Sequence, residues 1–255
     1  MSNTGFYADC ADPTNPAPII LAIDTSSTEA SLAISRAENI IATLTIKDNR
    51  PHSQTLFSHI ASLLQLAEIK IQDVSAFAIT TGPGSFTGLR VGLAAVKGLA
   101  DGLNKPCLGV DSLDLLALAT GFDGANLLII GAGRDEIYCG FREISSEDIV
   151  DASIADKVGE PSAVLRAIMQ YLRQSQLIIT IDERCKHQDE IFDIIRRIHM
   201  DLAGASGSQP ILLTPALNIS AVLAQRAAFL IKNNRITPVK PHYIRQSDAE
   251  IKWKP

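Results

Sequence analysis

The run Thr80–Leu103, TTGPGSFTGLRVGLAAVKGLADGL, decides the fold. Gly-rich turns between a strand and a helix are frequent phosphate cradles, so the first question is whether this one opens a nucleotide-binding domain. A P-loop requires G-x-x-x-x-G-K-[ST], and a dinucleotide fold requires G-x-G-x-x-G. Gly82-Pro83-Gly84 supplies the G-x-G, but the next glycine is Gly88, one place beyond Thr87, and no Gly-Lys-Ser or Gly-Lys-Thr follows. Both motifs fail on spacing. The amides of Ser85 and Phe86 still sit where a helix N-terminus attracts anions. The plainer reading is a tight corner, with Pro83 presetting φ and Ser85 near the N-cap.

The helix that follows is rich in glycine. Gly84, Gly88, Gly92, Ala95, Leu99 and Gly102 recur at steps of four and three, which places them on one face. Each interior glycine costs a helix about 1 kcal/mol relative to alanine. A stripe without side chains lets another backbone approach closely, which offsets that cost. Two readings stand: close packing on the chain's own sheet, or a seam against a helix of another chain.

Composition narrows the class. The chain has 255 residues, 46% of them hydrophobic and only 5% aromatic, so its core is built from Ile, Leu, Val and Ala. A net charge of −5 argues against a surface that tracks nucleic-acid phosphates alone. No apolar run reaches the ~18 residues of a membrane span. The opening MSNTGFYADCADPTNPAP has neither a basic nor an apolar region of a signal peptide, and residues 1–17 read as a flexible extension. Cys10, Cys107, Cys139 and Cys185 are scattered without a C-x-x-C, which implies reduced thiols and a cytoplasmic location.

Along the chain, PIILAIDTSSTEASLAI reads as strand, polar turn, strand, and NIIATLTI as a third strand. SQTLFSHIASLLQLAEI is an amphipathic helix, VSAFAITT a strand before the glycine helix, and KPCLGVDSLDLLALAT a short strand and helix. A second set begins near Asn126: NLLIIGAG and EIYCGFREI pair across Arg134-Asp135, EPSAVLRAIMQYLRQ is a helix, QLIITID a strand and KHQDEIFDIIRRIHM a helix. GASGSQP is a loop, and a long final helix spans residues 215–234. Each half opens with antiparallel strands and then alternates helix and strand, a repeat at the level of the fold. The expected units are a first lobe over residues 18–111, to which the final helix is expected to return, a second lobe over 112–214, and a tail over 235–255. Two α/β lobes suggest a cleft between them.

The sequence offers several candidate chemistries. His52 and His59 are seven apart, about 10.5 Å along a helix axis, too far to share an ion. His187, His199 and His242 stand alone, and no metal site is expected. Ser85, His52 and Asp24 could compose a triad, but no G-x-S-x-G elbow is present. Asp24, Thr25, Ser26, Ser27 and Thr28 form a turn at a strand end that suits a phosphate or hydrated metal, or that bonds its own backbone. Gly131 and Gly133 form a second such turn. Asp189, Glu190 and Asp193 sit early in a helix and complement its dipole. Lys240, His242, Arg245, Lys252 and Lys254 make the tail locally basic.

ILAIDTSSTEASLAI, HSQTLFSHIASLL, the Thr80–Leu103 run with PCLGVDSLDLLA, and PHYIRQSDAEIKWK together resemble the bacterial TsaB (YeaZ) family, across most of the chain from Ile19 to Lys254. The Gly-Pro-Gly-Ser-Phe-Thr-Gly-Leu-Arg run is the most specific part. The resemblance implies a two-lobed actin-like fold of the ASKHA superfamily, α/β and ribonuclease H-like, with each lobe a mixed sheet flanked by helices. It implies a non-catalytic dimerisation and scaffolding subunit, without a cofactor, that supports a TsaD-type subunit in transferring threonylcarbamoyl to the N6 of the tRNA adenosine beside the anticodon. A TsaE-type ATPase joins the complex, a separate enzyme makes the donor, and tRNA is met only through the complex. Alone, the chain is left open between a homodimer and a monomer. The catalytic relative carries a His-x-x-x-His metal run where this chain has Ser112 and Leu116, and leucine ligates no metal. Family members commonly have Asp-Ala-Arg where this chain has Gly131-Ala132-Gly133, which removes two charged groups.

The partner surface implied is the face of two first-lobe helices: Ser53, Leu56, Phe57, Ile60 and Leu64 on one, and Ser85, Gly88, Leu89, Gly92, Ala95, Val96 and Leu99 on the other. Asp24, Thr25, Ser26 and Ser27 remain the candidate phosphate-binding residues. The rival reading is an ASKHA-type ATPase or kinase that binds ATP between its lobes.

Overall fold

A computed structural model of the chain describes residues 17–244 apart from 48–49, 147, 152–153, 170–176, 187, 204–210, 215–217 and 237–238. Residues 1–16 of the N-terminal extension, the GASGSQP loop, His187, Arg245, Lys252 and Lys254 lie outside the described residues. The chain divides into two compact units, residues 1–115 with 218–242 and residues 116–217 with 243–255.

The first unit is built on a five-stranded sheet in the order β3-β2-β1-β4-β5. β1 (Ile19–Asp24) pairs antiparallel with β2 (Ala30–Arg36), and β2 with β3 (Asn39–Ile46). β4 (Ala76–Thr80) runs parallel to β1, and β5 (Cys107–Val110) parallel to β4. β1 and β4 are buried along their whole length, as strands covered on both faces must be, which explains their unbroken apolar runs. Alternate residues of β1 point to opposite faces. Ile19, Leu21 and Ile23 join the core formed with α1 (His52–Leu66) and α2 (Phe86–Gly102). α6 (Ile219–Lys232) packs against β1 and β2.

Two side-chain devices fix the helix starts. Ser85 is the N-cap of α2 and accepts from the Gly88 amide at 3.2 Å. Asn218 caps α6 and accepts from the Ala221 amide at 3.2 Å. Ser31 of β2 donates to the Ser220 hydroxyl at 2.7 Å and approaches the Asn218 oxygen at 3.2 Å, so the same cap pins the helix to the sheet. The helix begins at Ile219 directly after this cap, and residues 215–217 of the expected helix lie outside the described residues.

The second unit repeats the plan. Its sheet runs β11-β10-β6-β7-β8, with β9 on β7. β6 (Gly124–Gly133) and β7 (Glu136–Ser145) form a hairpin, and β10 (Leu177–Ile181) and β11 (Ile211–Leu213) add in parallel on the other side of β6. Arg134 and Asp135 turn the hairpin with φ of 55° and 58°, the left-handed pair that matches strand twist. α4 (Pro161–Met169) and α5 (Gln188–Ala203) cover one face through Leu165, Ile168, Ile191 and Ile195. α3 (Ser112–Ala119) follows β5. The duplication read from the sequence is thus present strand for strand. β8 (Asp148–Asp151), β9 (Lys157–Gly159) and β11 went unread. They are three or four residues long, too short for periodicity, and are strands only because a neighbour pairs with them.

Candidate partner-binding face

The glycine helix divides into two parts. A methyl group on Gly84 would overlap the Ser26 carbonyl oxygen, one on Gly88 the Thr25 carbonyl oxygen, and one on Gly92 the Thr25 hydroxyl. These three glycines are filled from inside the unit by the turn between β1 and β2. The Thr25 hydroxyl donates to the Gly88 carbonyl at 2.8 Å, and the Ser85 amide donates to the Ser26 carbonyl at 2.6 Å. At Gly98 and Gly102 an added Cβ meets nothing within 4 Å. The reading of one continuous seam is therefore corrected. Eighteen residues are five full turns, so Gly102 returns to about the same side as Gly84, but it lies about 27 Å further along the helix axis, where nothing packs on it.

The twelve expected interface residues divide the same way. Leu56, Ile60, Gly88, Leu89, Gly92, Ala95 and Val96 are buried within the unit. They are packed inside the unit rather than turned to solvent. Ser53, Phe57 and Ser85 are exposed, and Leu64 and Leu99 are half-buried. Phe57 keeps 59% of its surface and Leu66 65%, large values for such side chains.

Residues that the sequence reading missed complete the face. On α1, Gln54, Ser58, Ala61, Ser62, Gln65 and Leu66 are exposed, and no Asp, Glu, Lys or Arg occurs between Pro51 and Ala67. Helices that face water normally carry charge on the outer side. α5 does so with Asp189, Glu190, Asp193, Arg196, Arg197 and Asp201. On α2 the exposed residues are Thr87, Arg90, Ala94, Lys97, Gly98, Asp101 and Gly102. The Arg90 guanidinium lies 3.8 Å above the Phe86 ring. The missing charge in α1 was legible in the sequence and would have marked the outer face.

The turn proposed for phosphate has its groups engaged. Asp24 is fully buried, and its Oδ1 accepts from the Ser26 amide at 3.0 Å and the Thr80 hydroxyl at 2.7 Å. The Ser27 hydroxyl bonds the Glu29 backbone at 3.1 Å, and His52 Nε2 meets the Ser27 carbonyl at 2.9 Å. Hydroxyls and amides that bond the fold in this way are not turned toward an anion. The triad is not assembled either, because Asp24 bonds Thr80 and Ser26 while His52 faces a carbonyl. Ser112 opens α3, and Leu116 is fully buried. A Cβ added at Gly131 would meet the Cys185 Cα at 3.4 Å, an ordinary contact, so the glycine there is not forced by packing as Gly84, Gly88 and Gly92 are.

A second junction ties the C-terminal segment to the same unit. The His242 amide donates to the Thr81 carbonyl at 2.8 Å, and its Nδ1 pairs with Asp111. The other Asp111 oxygen accepts from the Leu113 amide at 2.8 Å. A methyl group on Gly82 would stand 2.7 Å from the His242 carbonyl oxygen. Among the described residues, burial pushes the cysteine thiols upward, Cys107 to about 12 and Cys185 to about 11. Desolvation dominates both. At Cys107, Lys97 pulls downward and Asp101 pushes upward.

A sheet of three antiparallel strands continued by two parallel ones, built twice in one chain, is the mark of the actin-like, ribonuclease H-like class. A Thermus thermophilus ROK hexokinase shares the fold with a TM-score of 0.53 at 8% identity, covering 84% of this chain and 99% of its own. A Pseudomonas aeruginosa protein with similarity to peptidase YeaZ matches with a TM-score of 0.66 at 23% identity, over 89% of this chain and 100% of its own. The family model for TsaD, tRNA N6-adenosine threonylcarbamoyltransferase, matches residues 39–253. The Bacillus subtilis tRNA threonylcarbamoyladenosine biosynthesis protein TsaB is 28% identical over 241 residues, 92% of this chain and 97% of its own length. The chain belongs to this family, on its TsaB (YeaZ) branch.

Proposed function

We propose that this protein is the non-catalytic scaffolding subunit of a cytoplasmic tRNA threonylcarbamoyltransferase complex, and that it binds a TsaD-type catalytic subunit through the outer face of α1 and α2. The observation that carries the reading is the uncharged, partly apolar outer face of α1, with Phe57 and Leu66 exposed, on a helix that packs against α2, whose Gly98 and Gly102 are open. Interfaces are depleted of Lys, Glu and Asp and enriched in aromatic residues and Arg. The absence of an assembled triad, and of histidines at positions 112 and 116, supports a role without chemistry of its own.

A TsaD-type subunit shares the family model with this chain, so like faces of like folds can pair. A TsaE-type ATPase joins the assembly, and tRNA is held by the complex, in keeping with a net charge of −5. In the absence of the catalytic subunit the same face takes a second copy. No helix among the described residues is long and apolar enough to cross a membrane. The test is reconstitution: the chain and the TsaD-type subunit co-purify, and threonylcarbamoyl transfer to tRNA requires both. Transfer by the TsaD-type and TsaE-type subunits and the donor-forming enzyme at full rate without this chain refutes the reading.

A further inference from the structure

We propose that His52 is a positioning residue of the partner face: its hydrogen bond to the Ser27 carbonyl seats α1 on the β1–β2 turn that also grips α2, and so sets where Phe57 meets a TsaD-type partner. The proposal rests on the function given above and names what holds the two helices of that face in place.

The turn after β1 reaches both helices. On the α2 side its grip is repeated. The Ser26 carbonyl accepts from the Ser85 amide at 2.6 Å, and the Thr25 hydroxyl donates to the Gly88 carbonyl at 2.8 Å. Gly84, Gly88 and Gly92 leave room for the turn backbone and for Thr25. On the α1 side the turn is met by His52, whose Nε2 donates to the Ser27 carbonyl at 2.9 Å across 25 residues of chain. A carbonyl oxygen only accepts, so Nε2 carries a proton.

No side chain caps α1. Its N-cap is Pro51, and its first turn contains no acidic residue, whereas helix starts are commonly fixed by Ser, Thr, Asp or Asn and favoured by carboxylates. Thr55, three residues after His52, is buried, yet its hydroxyl meets no hydrogen-bond partner among the described residues. The apolar anchors come later, at Leu56, Ile60 and Leu63. The start of α1 is thus tied to the turn through His52, ahead of the packed part of the helix. Phe57 stands five residues on, about 7.5 Å along the axis, beside the first of those anchors. Leu66 stands about 21 Å along, past all three. Without the tie, the first turn and Phe57 lose their fixed place, while Leu66 keeps its own. A partner would then have to order that turn on binding, a cost that preorganisation removes.

The test compares two variants of the full chain with side chains of similar reach at position 52. His52→Gln keeps an N–H donor, and His52→Met has none. The measurement is the dissociation constant for the TsaD-type subunit by titration calorimetry, beside a melt of each chain. His52→Met should bind about tenfold more weakly, the factor that one hydrogen bond amounts to, and His52→Gln should stay within about twofold of the native chain. A double-mutant cycle with Phe57→Ala separates position from stability: on that background His52→Met should cost less than about threefold, because the ring it places is gone. Binding by His52→Met as tight as that of the native chain overturns the proposal. So does an equal loss in His52→Gln, or the full loss when Phe57 is already removed. A His52→Met chain that does not fold overturns it too, because the bond then serves stability rather than position. A native chain that does not bind the TsaD-type subunit instead overturns the reading of the face, and the proposal with it.

Discussion

Gly88 and Gly98 lie on one helix, ten residues apart, and are glycine for opposite reasons. Gly88 faces inward, where the carbonyl of Thr25 occupies the space a side chain would take. Gly98 faces outward, with nothing near it. The inner glycine is explained by the chain that contains it, since the turn between β1 and β2 enters the helix and hydrogen-bonds to it. The outer one destabilises an exposed helix without any return inside the unit. On the proposed function, the surface that Gly98 opens is the one a partner meets. The same contrast separates the uncharged outer face of α1 from α5, whose exposed side is laced with Asp, Glu and Arg.

The largest expected effect is on the inner side. Gly88→Ala places a methyl group on the Thr25 carbonyl, a backbone atom that cannot swing away, and should destabilise the unit by about 3 kcal/mol or more. Gly92→Leu should be at least as damaging. A denaturant titration reads both. An unperturbed midpoint for Gly88→Ala would break the comparison, because the glycine would then be free.

Thr25→Val keeps the shape that fills Gly92 but removes the donor to the Gly88 carbonyl. The expected loss is about 1 kcal/mol in the same titration, typical of one buried hydrogen bond. A loss as large as that of Gly88→Ala would mean that the hydroxyl, rather than the close approach, holds the turn.

On the outer side the sign reverses. Gly102→Ala should raise stability by up to about 1 kcal/mol, the ordinary helix preference, and the thermal midpoint should shift upward. A lowered midpoint would reveal an internal contact at Gly102 and remove its contrast with Gly88.

A smaller test concerns pH. Cys107 and Cys185 are raised from 9.0 to about 12 and about 11, chiefly by burial. A raised thiol favours the folded state while it stays neutral in the fold. That contribution is complete below about pH 9 and is lost as pH rises toward 11 and 12. Stability measured at pH 8 and pH 11 should fall, and a thiol reagent at pH 8 should label native Cys107 and Cys185 slowly. Fast labelling would contradict their burial.

Much of the fold was legible in the sequence because its signals are local. The all-apolar β1 and β4, the period of α1, and the Arg134-Asp135 turn each report their own structure, and their order repeated twice reports the class. What escaped was non-local. β9 and β11 are defined by neighbours far away in sequence. The direction of the glycine stripe depends on Thr25 and Ser26, some sixty residues earlier, and spacing along α2 cannot show that they enter it. The inward half of the stripe therefore looked like part of the outward one, and seven core residues were counted in an interface. The outer face had a local signal, fifteen residues of helix without Asp, Glu, Lys or Arg, but it is read from what is missing rather than from a motif.

Gly98→Leu tests the central claim most directly. The change adds a large side chain where the chain itself leaves open space, so the melting temperature should hold or rise slightly. If a TsaD-type subunit packs on this face, the added side chain forces the backbones apart at a cost of about 1–3 kcal/mol, and affinity should fall roughly ten- to hundredfold. The measurement is the dissociation constant of the Gly98→Leu chain for that subunit by titration calorimetry, beside its melt. A folded variant that binds as tightly as the native chain would contradict the account.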